Sequence, residues 1–199
     1  MRHTARIPTA GTKLLFSVEW NSNVAAVAQD QLLPAASHFV LPDLPDVFTD
    51  QDRVDFVSKT DPNQRIHTIA TCQHDSAESL LQSASDIVDP TSKILLVGGN
   101  HRGPNTMSSI EAAKILRNEK ENSLWGVANP NDSSNNGMES FEKKLESGMS
   151  GFITQPLLSS DAKDTMQMNR DAAAKAKDAN VTILAGMAFP KTIKGLRFW

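Results

Sequence analysis

Nine residues suited to binding or reaction lie at the ends of short apolar runs. They are Glu19, Thr71, Cys72, Gly98, Gly99, Asn100, Asn129, Gln155 and Met187. A carboxylate at the end of an apolar strand, such as Glu19, is costly to bury unless it is paired or protonated. A carboxyl group that keeps its proton in such surroundings can act as a general acid. Pairing with a Lys or Arg is the structural alternative for Glu19.

Two further features at these positions suit a ring or a phosphate. The Gly98-Gly99 pair would let a planar ligand or a phosphate approach the backbone, although a plain tight turn is the simpler explanation. Gln155 presents an amide donor and an amide acceptor together. Such a group could read the edge of a heterocycle, or it could cap a loop.

Alternating strands and helices must position these residues. The predicted strands cover residues 14–19, 38–41, 67–72, 93–97, 124–128, 151–155 and 181–185. Helices are predicted from about residue 24, weakly over 51–58, and over 76–85, 108–118, 138–147 and 161–179. Regular alternation of strand and helix predicts a parallel sheet, and in a βα barrel the active site lies at the carboxyl ends of the strands.

The predicted fold class is α/β, a parallel (βα)8-type TIM barrel that is incomplete, with about seven strands. A doubly wound nucleotide-binding sheet is the alternative, but its first strand would be followed by a glycine-rich turn, and no glycine follows Glu19 here. A full barrel takes about 250 residues. Residues 1–13 are predicted to be a flexible N-terminal segment, and residues 14–199 a single incomplete barrel domain.

Composition narrows the classes of partner. The 20 Lys and Arg against 23 Asp and Glu give a net charge of -3, which favours neither nucleic acid nor an anionic membrane surface. One Cys excludes a disulfide framework within the chain, and no apolar stretch is long enough for a membrane span. We therefore expect a cytoplasmic protein, with organellar import left open. The edge strands of an incomplete barrel favour a homo-oligomer.

Six stretches, in order along the chain, resemble the motifs of one enzyme family, methylenetetrahydrofolate reductase. Residues 16–19 are similar to its F-S-x-E first strand, residues 70–72 to its T-C third strand, and residues 96–100 to its G-G-D fourth strand. Residues 126–130 are similar to its G-V-A-x-Y-P, residues 141–155 to its L-x-x-K and F-I-T-Q, and residues 184–190 to its P-G-I-x-P.

This resemblance implies an FAD-dependent oxidoreductase of one-carbon metabolism and methionine biosynthesis. NADH or NADPH would reduce the flavin, and 5,10-methylenetetrahydrofolate would then become 5-methyltetrahydrofolate. The resemblance implies that Glu19 is the general acid and that Gln155 and Asn100 bind the folate. It implies a cofactor site made of Thr71, Gly98, Gly99, Asn100, Ala128, Asn129 and Lys144, with Lys144 near the FAD phosphates.

Two alternatives stay open. Asn100 stands where the family has Asp, and the chain contains no Tyr for the family's fifth-strand loop. A truncated, non-catalytic relative that binds a folate or a partner protein would explain both departures. A barrel enzyme of different chemistry that uses a metal is less favoured, because the five His are scattered without a ligand pair at useful spacing.

Overall fold

A computed structural model describes most of the predicted elements. It covers residues 17–19, 36–43, 48–98, 106–129, 137–154 and 162–184. The predicted flexible segment at 1–13 and the helix expected from about residue 24 lie outside these ranges. The same is true of Gly99, Asn100, Gln155 and Met187.

The described strands form one parallel sheet. They are β1 (Ser17–Glu19), β2 (His38–Leu41), β3 (Arg65–Ala70), β4 (Lys93–Val97), β5 (Ser123–Ala128), β6 (Gly151–Thr154) and β7 (Thr182–Leu184). Their order in the sheet is their order in the chain. The prediction of a parallel α/β fold is confirmed. The reversal of strand order that defines a doubly wound sheet does not occur among these strands.

Five α-helices are described, and each lies between two consecutive strands. They are α1 (Asp50–Lys59), α2 (Ala77–Ser85), α3 (Ser109–Glu119), α4 (Gly137–Glu146) and α5 (Ala162–Asp178). Ser76 caps α2 by accepting a hydrogen bond from the Ser79 backbone N–H. Ser108 caps α3 in a reciprocal arrangement with Glu111. These side chains satisfy N–H groups that the first helical turn leaves unpaired, so they fix where each helix begins.

The third strand begins and ends two residues earlier than the predicted 67–72. The prediction missed the first residues of this strand because a charged residue such as Arg65 is not typical of a buried strand. The Arg65 side chain is nevertheless buried, and its guanidinium donates to the carbonyls of Val57 and Thr60. At its other end, the Ala70 N–H donates to the Asp43 carboxylate at 2.8 Å, and a short 3-10 turn follows. A side chain thus replaces the ladder partner where β3 stops.

The two faces of the sheet pack against different surroundings. The helix side carries a large apolar core that includes Ile94, Leu96 and Phe152, packed on helix residues such as Leu80 and Leu116. The opposite face carries a separate cluster made of Ile66, Leu95, Trp125 and Leu184. In-register pairing fixes which residues share a face, because side chains alternate along each strand.

The face with Trp125 is concave. Register pairing across β2, β3, β4 and β5 places Val40 on β2 in one row with Ser123 on β5. His38 precedes Val40 by two positions and Trp125 follows Ser123 by two, so in a flat sheet their Cα atoms would be roughly 20 Å apart. Their ring centroids are only 5.5 Å apart. The sheet therefore curls so that side chains from β2 and β5 meet across this face.

Candidate functional site

Glu19 ends the first strand on the concave side. It pairs in register with Val40, which packs against the concave cluster, so the two residues share that face. The Glu19 side chain is exposed, and it makes no hydrogen bond or ion pair with the rest of the described chain. The predicted pairing alternative, a Lys or Arg, is not observed among those residues. A carboxylate that could accept hydrogen bonds from a ligand therefore lies at the carboxyl end of β1.

Four half-buried apolar side chains lie on the same concave face, at the carboxyl ends of other strands. We call them the apolar wall, and they are Val40, Val97, Val127 and Ile153. Each is the last or next-to-last residue of its strand, and all pack on the concave cluster. A partly exposed apolar surface with few polar groups is the usual lining of a small-molecule site. The wall can bind the face of a flat ring.

Gly98 follows β4 directly at the same edge. A Cβ atom added there would meet no atom of the described residues within 4 Å, so these residues leave open space beside the backbone. Gly99 and Asn100 lie outside the described residues, as does Gln155, which follows Thr154 at the end of β6. Since parallel strands place their carboxyl ends at one edge, Glu19, Gly98 and Thr154 share it. The expected convergence of Glu19, Asn100 and Gln155 stays a prediction.

Lys144 brings a positive charge to this edge. Its ammonium group, on α4, donates to the backbone carbonyl of Val127 at 2.6 Å. This contact holds the charge at the carboxyl end of β5, next to the apolar wall. An ammonium in that place can attract a carboxylate or a phosphate, and the expected position of Lys144 near the FAD phosphates stays a prediction.

Thr71 and Ala128 are packed into the protein. Thr71 is fully buried, and its hydroxyl lies 3.3 Å from the Val97 carbonyl and 3.0 Å from the Met107 carbonyl. Ala128 belongs to the helix-side core. Asn129, which follows it, is exposed. The Thr71 and Ala128 side chains therefore shape the edge, and a ligand on the concave side would meet at most the backbone of Ala128.

Asp43, which sequence reasoning missed as a contact residue, links the ends of β2 and β3 through a hydrogen bond. One Asp43 carboxylate oxygen accepts from the Ala70 N–H at 2.8 Å, and the other lies 3.7 Å from the Arg53 guanidinium. In the sequence, the only indication of this role is that Asp43 directly follows Pro42, the proline after β2. The hydrogen bond between Ala70 and Asp43 fixes how these two neighbouring strands end at the site.

Two histidines remain neutral near physiological pH, and neither lies at this edge. Burial, together with the charges of Arg65 and Arg53, lowers the pKa of His67 to about 4. Its ring meets Phe56 edge to face, with centroids 5.2 Å apart, on the helix side. Burial and the Lys93 charge lower the pKa of His38, at the amino end of β2, to about 4. Neither imidazole is therefore placed to exchange a proton with a ligand at this edge.

The described residues contain no cluster of three or more His, Cys, Asp or Glu side chains that could hold a metal ion. Among the described helices, none is long and apolar enough to cross a membrane.

Comparison with known proteins relates the fold to a solved structure. That structure is described as an uncharacterized protein from Clostridium thermocellum that binds two copies of 5-methyl-5,6,7,8-tetrahydrofolic acid. It superimposes with a TM-score of 0.59 at 16% sequence identity, over 86% of this chain and 64% of that protein. The likeness is therefore one of fold, over less than two thirds of the other protein's length. No family model and no curated protein matches the chain.

Proposed function

We propose that this chain binds a reduced folate on the concave side of its sheet, at the carboxyl ends of the strands. The observation that carries the proposal is the exposed Glu19 carboxylate, which has no partner in the described part of the chain and pairs in register with Val40 of the apolar wall. A reduced pterin has ring faces that suit such a wall and N–H groups at its edge that a carboxylate can accept.

Two further points support this proposal. The Clostridium thermocellum protein, which resembles this chain in fold, binds a reduced folate. The parallel strands follow one another in chain order, as in a (βα)8-type barrel, and we propose that the curled sheet belongs to one. In such barrels, ligands bind at the carboxyl ends of the strands.

Calorimetric titration with 5-methyltetrahydrofolate tests the proposal. We expect saturable binding by the unaltered chain and weaker binding by Glu19→Gln, because the amide keeps the shape of the side chain but loses its charge. Glu119→Gln is the matched control, since Glu119 is an exposed carboxylate at the far end of α3. Equal affinities of the two variants would remove Glu19 from the site, and an unaltered chain that binds no folate would overturn the proposal.

A second candidate function is FAD-dependent reduction of methylenetetrahydrofolate with NADH or NADPH. It is motivated by the position of Glu19 at the carboxyl end of β1, since the resemblance to methylenetetrahydrofolate reductase makes this residue the general acid. The residues present fit the cofactor in two respects: open space lies beside the Gly98 backbone, and the Lys144 ammonium could face its phosphates. Bound FAD would supply hydride transfer.

The flavin spectrum separates the two candidates. A reductase purified from cells, or titrated with FAD, should absorb near 450 nm as a bound flavin does, and it should oxidise NADH or NADPH when a folate acceptor is present. A colourless protein that binds 5-methyltetrahydrofolate but not FAD would leave folate binding as the function.

A further inference from the structure

Thr68 places a hydroxyl group in the middle of the concave side. It is the fourth residue of β3 and pairs in register with Leu95, which in turn pairs with Trp125. Leu95 and Trp125 belong to the concave cluster, so Thr68 shares their face. Ile66 and Ala70, two positions before and after it, also lie on this face because side chains alternate along a strand. The surroundings of the hydroxyl are therefore mostly apolar.

This hydroxyl has no hydrogen-bond partner within the described residues, although the side chain is half-buried. Other polar groups nearby are satisfied. The Trp125 indole N–H donates to the Ser123 hydroxyl at 3.1 Å, and the buried Thr71 hydroxyl has two carbonyls in reach. A hydroxyl partly withdrawn from water costs free energy unless a partner meets it. A bound ligand with polar ring atoms could be that partner.

Thr68 and Glu19 are close enough to contact one ring system. Glu19, Val40 and Ile66 form one paired row, and Thr68 lies two residues above Ile66 on β3. On a flat sheet the Cα atoms of Thr68 and Glu19 would be roughly 12 Å apart, and the curl brings them closer. The two side chains and a bicyclic ring between them can bridge that span.

The same surroundings exclude the other end of a folate. The glutamate tail carries two carboxylates, and burying unpaired charge against apolar side chains is costly. Among the described residues on the concave side, Lys93 is a cation, but it lies at the amino end of β4 and donates to the Asn63 carbonyl. The ring therefore fits near Thr68, and the tail fits at the edge, where Lys144 lies.

We propose that Thr68 is a specificity-determining residue whose hydroxyl hydrogen-bonds the pterin ring of the bound folate. This inference rests on the proposed folate binding. It gives the pterin ring a second contact, Thr68 on β3, besides the Glu19 carboxylate on β1. It also orients the ligand, with the pterin over the middle of the concave side and the glutamate tail at the edge.

Thr182 offers a matched control. It lies on the same row of the sheet, on β7, is also half-buried, and has no hydroxyl partner in the described ranges. Between the two threonines the row is filled by Trp125, whose indole covers Gly151 on the neighbouring strand. Trp125 therefore separates Thr182 from Thr68 along this row.

The test is calorimetric titration of four variants with 5-methyltetrahydrofolate, 6-methyltetrahydropterin and p-aminobenzoylglutamate. Loss of one hydrogen bond predicts that Thr68→Val binds the first two probes roughly threefold to tenfold more weakly. Thr68→Ser should keep the affinity within about twofold, as should Thr182→Val. Thr68→Ala, which also lacks the hydroxyl, repeats the test if Thr68→Val does not fold. Any binding of p-aminobenzoylglutamate, which has no pterin, should be unaffected by Thr68→Val.

The outcomes separate this inference from the proposed function. If the unaltered chain binds 5-methyltetrahydrofolate and Thr68→Val binds it equally well, Thr68 does not read the ring and only this inference fails. An equal loss in Thr182→Val would also overturn it, because the effect would not be specific to Thr68. If the unaltered chain binds no folate, both fail.

Discussion

The indole of Trp125 on β5 lies over the backbone of Gly151 on β6, in the space that a side chain at position 151 would need. A Cβ atom added to Gly151 would collide with the indole ring. The same indole reaches the His38 ring from the other side of the curl. Trp125 therefore fills the amino-terminal part of the concave side, and a ligand is left with the carboxyl-terminal part.

Two glycine substitutions test this packing. Gly151→Ala should lower the free energy of unfolding by about 1–3 kcal/mol, because the indole must move in a packed interior. Gly98→Ala should change it by less than about 0.5 kcal/mol, since the added methyl group enters open space. Urea unfolding of both variants checks the difference. Equal stability of the two would mean that Trp125 does not press on β6.

Asp43 gives a second prediction about how the edge of the sheet is held. Asp43→Ala leaves the Ala70 N–H without its acceptor and should destabilise the fold by about 1–3 kcal/mol. Asp43→Asn keeps an acceptor oxygen and loses only the ion pair with the half-exposed Arg53, so it should cost less than about 1 kcal/mol. Chemical denaturation distinguishes them. Equal losses in Asp43→Asn and Asp43→Ala would show that charge, and not the hydrogen bond, holds the strand end.

The lowered pKa of His67 predicts that the free energy of unfolding decreases in acid. Its pKa is lowered in the folded protein to about 4, so between that value and the ordinary 6.5 the unfolded chain binds the extra proton. Unfolding is therefore favoured as the pH falls through this window, by up to about 2–3 kcal/mol from this group. His67→Phe, which keeps an aromatic ring against Phe56, should show a smaller loss between pH 7 and pH 4.5. An unchanged pH dependence of the urea midpoint would assign the acid sensitivity to other groups.

The position of the Lys144 ammonium predicts that its charge strengthens folate binding. Lys144→Met removes the ammonium beside the apolar wall and should weaken binding of 5-methyltetrahydrofolate about threefold to tenfold. Lys143→Met removes the same charge from the same helix, where Lys143 is paired with Glu139, and should leave the affinity within about twofold. Added salt should weaken binding by the unaltered chain more than binding by Lys144→Met. Equal effects of the two substitutions would place the folate tail elsewhere.

The elements that follow local rules could be predicted from the sequence. The bounds of β2 and β4 agree with the prediction, because Pro42 ends one apolar run and Gly98 follows the other. The helix predicted over 76–85 is found at Ala77–Ser85, with Ser76 as the residue that caps its start. The helix predicted over 138–147 is found at Gly137–Glu146, and Gly148 just beyond it has a φ of 93°, which favours glycine.

The features that the sequence could not show depend on contacts between distant segments. The early start of β3 needs carbonyls of α1 and the residue after it to receive the Arg65 guanidinium. The hydrogen bond from Ala70 to Asp43 joins residues 27 positions apart. The place of Thr68 among apolar side chains follows from the register of three strands, which no local pattern encodes.

Amide hydrogen exchange with and without saturating 5-methyltetrahydrofolate tests the central claim most directly, because it detects binding and locates it in one measurement. The account predicts slower exchange at the carboxyl ends of the strands, around Glu19, Val97 to Gly98 and Val127 to Asn129, with little change at the amino ends around Lys93 and Ser123. Protection confined to the amino ends, or no protection at any folate concentration, would contradict it.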